Sequence, residues 1–191
     1  MAEGNRFTNN PLNSILRSKY ARDDDWMRDF LGRARIGHVA TQSGNQPFIT
    51  PVTFWYDPGM HEIYFHTNIV GRLRANSEGN ARVCFEASKA GKALPSNIAL
   101  NFSIQYESVV AFGNIRIVED EVEMRRILNG LIARYFPGMK PGEHYRPITP
   151  NELRVTAVFA ITIDSWSGKR NWKHEAKEDE DWPKLEDQWF Q

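Results

Sequence analysis

The chain has 191 residues, of which 41% are hydrophobic and 25% are charged, and these values predict one globular domain with a substantial core. Its 24 Lys and Arg residues balance its 24 Asp and Glu residues, so it lacks the basic surplus of a general nucleic-acid-binding protein. The single cysteine, Cys84, excludes an internal disulfide. With no signal-peptide pattern and no apolar run long enough to span a membrane, these features favour a soluble cytoplasmic protein.

The N-terminal part of the sequence predicts an arm and a helix. Residues 1–22 are polar and predict an arm that lies on the surface. A helix is expected to begin at residues 23–25, since three aspartates in a row provide a capping side chain. Apolar residues then recur at helical spacing, at Trp26, Met27, Phe30 and Leu31.

Alternating apolar and polar residues predict six strands. In chain order they are "IGHVAT", "PFITPVTFWY", "HEIYFH", "ARVCFEAS", "YESVVAFGNIRIV" and "LRVTAVFAITIDS". The first three are joined by short turns, which indicates an antiparallel meander, and His61 after the second turn is expected to be exposed. Six strands with few helices favour a small, closed or nearly closed barrel, because closure removes exposed edges.

The segments between the later strands predict one more helix and two long loops. Asp120 with Glu123 three residues on resembles a capping box. The apolar residues after it have helical spacing and predict one buried face, formed by Met124, Ile127, Leu128, Leu131 and Tyr135. Residues 88–104 and 137–152 are predicted to be long loops, of the kind that form lids or interface arms.

The stretch "FHTNIVGRLRAN", residues 65–76, combines a strand end with a helix start. A helix N-terminus presents free backbone N–H groups and the positive end of the helix dipole, so it can bind an anion. Gly71 allows close approach of a ligand, and Arg72 could bind a phosphate through two parallel hydrogen bonds. Arg74 faces another side of the helix and is expected to be peripheral or structural. The alternative is that both arginines form the solvated face of a surface helix.

Other ligand-binding patterns are missing from the sequence. No His-Glu-x-x-His motif, cysteine pair or similar spacing predicts a metal site. No Gly-x-Gly-x-x-Gly or Walker-type loop is present, so a nucleotide bound here is not expected to be held as in a Rossmann or P-loop protein.

Five segments resemble the pyridoxamine 5′-phosphate oxidase-related, FMN-binding split-barrel family. They are "ITPVTFWYD", "IYFHTNIVGRLRAN", "ARVCFEA", "YESVVAFGNIRIVED" and "SWSGKRN", and the resemblance extends over residues 24–172. It implies a mainly β fold, a six-stranded antiparallel split β-barrel with flanking helices, over residues 23–172. It also implies a homodimer with FMN at the subunit interface.

The resemblance implies cofactor-binding roles for twelve residues. Residues of the strand "ITPVTF" would line the flavin ring, and residues of "FHTNIVGR" would bind the ribityl chain and phosphate. A polar residue would lie near the flavin, and a Trp with a basic residue from "SWSGKRN" would close the pocket. In that order the residues are Pro51, Val52 and Thr53; His66, Thr67, Asn68, Gly71 and Arg72; Ser108; and Trp166, Lys169 and Arg170.

Three departures from the family pattern limit the resemblance, and the two at the C-terminus argue against pyridoxamine phosphate as the substrate. Leu73 follows Arg72, where many family members have a lysine. The C-terminal Arg/His pattern that pyridoxamine phosphate oxidases use for substrate is not visible, and the chain ends in an acidic segment instead. Catalytic residues and the small-molecule substrate therefore stay unassigned.

The sequence supports three functional hypotheses. The first is an FMN-dependent oxidoreductase of the pyridoxamine 5′-phosphate oxidase-like family that acts on a small molecule. The second is a non-catalytic flavin- or haem-binding protein, a carrier or sensor. The third is a scaffold whose acidic tail, residues 173–191, recruits a protein partner. Aromatic residues are unusual in a disordered tail, so Trp182, Trp189 and Phe190 are expected to dock on the barrel near Trp166 or on the partner subunit.

Overall fold

The computed structural model describes residues 10–190 of the chain. In these residues the strands are β1 (Ala21–Arg22), β2 (Gly37–Ser43), β3 (Gln46–Val52), β4 (Trp55–Asp57), β5 (Glu62–Asn68), β6 (Arg82–Leu94), β7 (Ser103–Val118) and β8 (Thr156–Asn171). The α-helices are α1 (Asp24–Arg33), α2 (Arg72–Gly79), α3 (Glu121–Tyr135) and α4 (Pro150–Arg154). Short 3₁₀ turns lie at Ser18–Tyr20, Ala99–Asn101 and Asp187–Phe190.

The strands form one antiparallel sheet in the order β3-β2-β6-β7-β8-β5-β4, and β1 pairs with β8 beside this path. The sheet curls around a core to which β2, β4, β5, β6, β7 and β8 all contribute, and this is the split barrel that the sequence predicts. The expected number of six strands is wrong, since the sheet has eight. The short β1 was not anticipated, and the segment "PFITPVTFWY" divides into β3 and β4.

The division between β3 and β4 has a local cause at Phe54. Its backbone N–H donates to the Tyr135 hydroxyl at 3.1 Å, and the same hydroxyl lies 3.2 Å from its carbonyl oxygen. The hydroxyl also lies 2.5 Å from the Arg35 carbonyl, which is the nearer acceptor of its single proton. A side chain of α3 thus satisfies the Phe54 N–H, which a continuous strand would pair in the ladder. The two prolines of β3, Pro47 and Pro51, fit its position at the edge of the sheet.

Apolar side chains pack on both faces of the central strands. Ile63 and Phe65 of β5 point into the barrel, where Met27, Phe30 and Leu31 of α1 close one side of the core. Tyr64 points the opposite way, because successive residues of a strand face opposite sides. There it packs with Val158 and Ala160 of β8 and with the buried face of α3.

The predicted helix starts are confirmed by their caps. The Asp23 side chain accepts a hydrogen bond from the Trp26 N–H at 2.9 Å at the start of α1. The Asp120 side chain accepts from the Glu123 N–H at 2.8 Å at the start of α3. An aspartate at each N-cap satisfies a backbone donor that the helix cannot satisfy internally.

Two predicted irregular segments contain strand residues. Of residues 88–104, expected to be a loop, 88–94 and 103–104 belong to the paired ends of β6 and β7, and 95–102 connect the two strands. The last strand, predicted to end with "AITIDS" at Ser165, continues through "SGKRN" to Asn171 because this segment pairs with β7 and, at Gly168 and Lys169, with β1. Lys169 and Arg170 therefore point to opposite faces of the sheet.

The tail attaches to the barrel through its backbone. The Ser96 hydroxyl donates to the Lys177 carbonyl at 2.7 Å, the Asn97 amide donates to the Asp179 carbonyl at 2.9 Å, and Asn97 Oδ1 accepts from the Asp179 N–H at 2.7 Å. Trp182 and Trp189 are 65% and 60% exposed. Within one chain these two rings do not pack on the barrel near Trp166, and polar residues of the β6–β7 hairpin hold the tail instead. Docking of the rings on the partner subunit stays a prediction.

Candidate functional site

The start of α2 exposes an arginine and uncapped backbone amides. Gly71 is the N-cap residue, and no side chain caps the helix there. Its φ of 157° and ψ of 168° lie in a region occupied almost only by glycine. The Arg72 guanidinium lies 5.5 Å from the centre of the Phe48 ring of β3, while its side chain remains exposed. Arg72 and the first N–H groups of α2 therefore lie together at an open corner, the arrangement that the sequence predicts for an anion site.

The neighbouring polar residues have different roles at this corner. Arg74 Nε lies 2.8 Å from Glu78 Oε1, so Arg74 takes part in an ion pair within α2, in line with the structural role expected for it. Asn68 Oδ1 accepts a hydrogen bond from the Val70 N–H at 3.1 Å and shapes the turn before the helix. The Thr67 hydroxyl donates to the Asn68 carbonyl at 2.9 Å.

His66 and Thr67 lie on opposite faces of β5 and do not converge in this chain. Thr67 pairs with Ala157, on the face of the barrel core, while His66 pairs with Val158, on the face covered by α3. The sequence placed both residues at one strand end, and the alternation of strand side chains separates them. His66 instead faces a cavity outside the barrel.

This cavity, between β5, α3 and the segment before α4, has a volume of about 590 Å³. Its walls are mainly apolar, and its polar lining consists of a histidine, two arginines, a glutamate and a few hydroxyl groups. The lining residues are Arg35, Thr53, His66, Leu128, Leu131, Ile132, Tyr135, Phe136, Tyr145, Arg146, Ile148, Glu152 and Thr156. A volume of this size with few polar groups is typical of a small-molecule or cofactor site.

The titratable groups of the cavity favour a neutral imidazole beside charged arginines. Burial lowers the pKa of His66, so the uncharged ring predominates at neutral pH. The Arg146 guanidinium, 2.7 Å from Glu152, and the Thr149 backbone N–H together lower the pKa of the Glu152 carboxyl to about 2. The Arg35 guanidinium lies 5.4 Å from the centre of the Tyr135 ring. A neutral imidazole can accept a proton or bind a metal ion.

The sequence did not identify this cavity. Its helical wall comes from the amphipathic pattern of α3, which was read only as a core-packing face. Arg35 and Arg146 lie in irregular segments on either side, where a basic residue has no distinctive pattern. Only the folded chain brings residues from positions 35 to 156 around one space.

The remaining predicted site residues occupy three places. Thr53 lines the cavity with His66, Pro51 is exposed on the outward side of β3, and Val52 is buried in the barrel core. Ser108 and Lys169 pair across β7 and β8 and share the outward face of the sheet, together with the exposed side of Pro51. Trp166 is 8% exposed and belongs to the core, and Arg170 lies on the same side of β8 as Trp166.

Trp166 forms part of a polar and aromatic cluster with His61. The Trp166 Nε1–H donates to Asp24 Oδ1 at 3.0 Å, and its ring centre lies 4.7 Å from that of His61. Tyr56 Oη lies 2.9 Å from His61 Nδ1. His61 is therefore half-buried, not exposed as expected, and its φ of 54° makes the turn after β4 possible. Burial lowers the pKa of His61, and the nearby Arg28 charge lowers it further.

Two further properties of residues 10–190 bear on function. Within this range, no three His, Cys, Asp or Glu side chains gather where they could hold a metal ion. None of the helices described there is long and apolar enough to cross a membrane.

Comparison with known families gives one match over most of the chain. Residues 23–170 match the family model described as pyridoxamine 5′-phosphate oxidase. This range agrees with the 24–172 over which the sequence resembles that family. Among proteins with curated descriptions, none matches the sequence significantly.

Solved structures with the same fold include haem- and flavin-binding proteins. The flavocytochrome Anf3 from Azotobacter vinelandii aligns with a TM-score of 0.77 and 26% identity, over 87% of this chain and 76% of that one. The FAD and haem binding protein from Mycobacterium smegmatis aligns with a TM-score of 0.70 and 22% identity, over 87% and 76%. A putative 5-nitroimidazole antibiotic resistance protein from Bacteroides thetaiotaomicron aligns with a TM-score of 0.66 and 20% identity, over 78% and 84%.

Proposed function

The chain belongs to the pyridoxamine 5′-phosphate oxidase family, and we propose that it is an FMN-dependent oxidoreductase that acts on a small molecule as a homodimer. The observation that carries this proposal is the open corner at the start of α2. Uncapped helical N–H groups, Gly71 and the exposed Arg72 suit a phosphomonoester, which carries about −1.5 to −2 charges at neutral pH.

The residues around this corner fit the phosphate end of FMN. Arg72 has no carboxylate partner within residues 10–190, so its guanidinium is available for a bidentate contact with the phosphate. Gly71 leaves open space at the position of a Cβ atom, which allows the ligand to approach the backbone. A bound flavin supplies hydride or single-electron transfer, while the protein positions it and shields it from water.

The outward face of β2, β3, β6 and β7 supports the dimer. Ile49 is 71% exposed, and Phe112 and Val110 remain half-exposed beside the paired strands of this face. At its centre His38 Nδ1 lies 2.9 Å from Glu86 Oε2. A second copy of the chain would cover this apolar surface by a two-fold contact. Ser108, Lys169 and Pro51 would then lie at the interface, where the proposed flavin site needs them.

The phosphate corner is tested by comparing two arginines of the same helix. Arg72→Ala is expected to weaken FMN binding by about 1.5–3 kcal/mol, because it removes a charge-assisted hydrogen bond. Arg74→Ala is the matched control, since Arg74 already pairs with Glu78. Titration of the protein with FMN and with riboflavin completes the test. Equal affinities for FMN and riboflavin, or equal effects of the two substitutions, would contradict the phosphate assignment.

The cavity at His66 favours haem binding as a second candidate function, which is compatible with the first. A neutral imidazole projects into an apolar cavity of about 590 Å³, and Arg35 and Arg146 lie at its polar side. Imidazole is a common axial ligand of haem iron, and an arginine can pair with a propionate carboxylate. Arg35 has no ion pair among residues 10–190 and would serve this role, since Arg146 already pairs with Glu152. The flavocytochrome Anf3 and the FAD and haem binding protein, by their names, support this candidate. His66 would hold the haem, and a bound haem would supply electron transfer or oxygen chemistry.

Haem titration separates His66 from an unrelated histidine. The unmodified protein is expected to bind added haem with a shifted and sharpened Soret band. His66→Ala should abolish that spectral change, while His174→Ala, which alters an exposed histidine of the tail, should leave it intact. A spectrum that is the same for His66→Ala and the unmodified protein would rule out this ligand.

A further inference from the structure

A second pocket, of about 380 Å³, lies where the N-terminal arm, the end of β8 and the start of the tail meet. Its lining consists of four cationic side chains, two aromatic rings and one amide: Lys19, Arg22, Arg170 and Lys173; Tyr20 and Trp172; and Asn171. It shares no lining residue with the cavity at His66. None of these residues except Arg170 enters the proposed flavin site.

The pocket has a local surplus of positive charge in a chain whose net charge is zero. Among residues 10–190, the one carboxylate that pairs with a lining cation is Glu107, whose Oε1 lies 3.1 Å from Arg170 Nε. Glu107 also pairs with Arg33 at 2.8 Å, so its single charge is shared between two arginines. The charges of Lys19, Arg22 and Lys173 are available to a ligand with more than one negative charge.

The aromatic rings add a planar, apolar component to this charge. The Trp172 ring lies at the end of β8, with the Lys89 ammonium 5.4 Å and the Arg170 guanidinium 5.9 Å from its centre. The Tyr20 ring lies 6.4 Å from that of Tyr106, which supports it from β7. Rings next to cations are the usual means of binding a nucleobase beside its phosphates.

A buried amide supplies a hydrogen-bond acceptor. Asn171 is 6% exposed, and its Nδ2 donates to Ser103 Oγ at 3.2 Å. Its Oδ1 is buried and has no partner among the described residues. A buried acceptor without a partner is costly, and a ribose hydroxyl or an adenine amino group would satisfy it. An inorganic anion such as sulfate has no hydrogen-bond donor for Asn171 Oδ1, and phosphate has only its own protons. The buried acceptor therefore favours a nucleoside over a simple anion.

We propose that this pocket binds the ADP moiety of a dinucleotide. The pyrophosphate would contact Arg22, Lys19 and Lys173, and the adenosine would lie against Trp172 and Asn171. That moiety occurs both in FAD and in reduced nicotinamide dinucleotides, which carry electrons to flavins. The inference goes beyond FMN binding, and it can fail while the flavin site at α2 is retained, because the two sites use different residues.

The test is calorimetric titration of the full-length protein with ADP, adenosine, FMN, FAD and NADPH. ADP is expected to bind, and adenosine to bind at least about tenfold more weakly because it lacks the charged groups. The double variant Lys19→Gln, Lys173→Gln should weaken ADP binding by about tenfold or more and leave FMN binding unchanged. Both lysines are exposed, so the variant keeps the packing of the fold.

The control is the double variant Lys177→Gln, Lys184→Gln, which removes two exposed tail lysines outside the pocket and should leave ADP affinity unchanged. If the Lys19→Gln, Lys173→Gln variant binds FAD more weakly and NADPH as before, the pocket binds the ADP moiety of the flavin cofactor. If it binds NADPH more weakly and FAD as before, the pocket binds the ADP moiety of the nicotinamide reductant. No ADP binding to the unmodified protein, or equal losses in the pocket and control variants, would overturn the proposal.

Discussion

The two apolar layers on either side of β5 and β8 differ in how completely they are filled. In the barrel interior, Phe65 and Phe159 stack with ring centres 5.1 Å apart, and both are 0% exposed. The outer layer beneath α3 also buries Tyr64 fully, but it opens at its end into the cavity at His66. The same strands thus build a packed core and a cofactor-sized space, because adjacent residues serve opposite faces.

The outer layer is also held by polar contacts of the Tyr64 hydroxyl. The Tyr64 hydroxyl donates to Glu62 Oε2 at 2.6 Å and accepts from Arg126 of α3 at 2.7 Å. Burial and the neighbouring Glu62 raise the pKa of Tyr64 to about 12. These directed hydrogen bonds hold α3 on the sheet without filling the space at the end of the layer.

The largest expected effect lies in the interior, at Gly113. A Cβ atom added there would lie 2.0 Å from the Thr162 carbonyl oxygen of the paired strand. Gly113→Ala is therefore expected to lower the free energy of unfolding by about 3 kcal/mol, the upper range for overpacking. Denaturant unfolding measures it.

Gly32→Ala is the matched control for the interior, since nothing lies within 4 Å of its added Cβ atom in α1. It should raise stability by up to about 1 kcal/mol through helix propensity. Equal destabilisation by the two substitutions would show that the interior is not as tightly packed as described.

A smaller effect is expected in the outer layer at Tyr64. Tyr64→Phe removes the hydroxyl between Glu62 and Arg126 and leaves both charged groups without that partner. The expected loss of stability is about 2 kcal/mol, as for hydrogen bonds to charged groups. Tyr106→Phe, on a half-buried ring of β7, serves as the control and should change stability little. A Tyr64→Phe variant as stable as the unmodified protein would mean that packing alone holds α3.

The contact that joins the two layers is predicted to contribute less. The Tyr135 hydroxyl of α3 binds the backbone of Phe54, a residue of the barrel core. Tyr135→Phe should cost about 1 kcal/mol, the typical net value of one hydrogen bond, because the other bond of this hydroxyl, to the Arg35 carbonyl at 2.5 Å, is exposed. Because Tyr135 also lines the cavity, the substitution should alter haem affinity as well. Denaturant unfolding measures the stability of Tyr135→Phe, and haem titration measures its affinity for haem. If neither quantity changes, the Tyr135 hydroxyl does not couple the two layers.

The smallest effect is a pH dependence that arises at His61. Its pKa is lowered in the folded chain, so the unfolded chain binds the proton more tightly. The stability from the neutral ring is fully present above the unfolded pKa of about 6.5 and is lost as the pH falls through the folded pKa. His61→Gln should flatten this part of the curve, whereas His174→Gln should not. The test is to measure the melting temperatures of both variants between about pH 7.5 and about pH 5, the range in which histidine titrates. Equal pH dependence in the two variants would contradict the assignment to His61.

Local patterns in the sequence predicted much of the fold. The caps Asp23 and Asp120, the buried face of α3 and five of the strand positions follow from neighbouring residues alone. The division of β3 from β4 could not be predicted, since it depends on Tyr135, which is about 80 positions away in the chain. The extension of β8 to Asn171 likewise depends on its partners β1 and β7.

By itself, the sequence determined the family, the antiparallel barrel and the charged corner at Gly71 and Arg72, because these depend on local order and periodicity. Tertiary structure alone decided where the side chains meet. It directed His66 away from Thr67 and into the cavity formed with α3, and it brought Lys19 and Lys173 to one pocket. The physical reason is that side chains alternate between the two faces of a strand by local geometry alone. Which segments cover each face of the sheet depends on pairings between residues far apart in the chain.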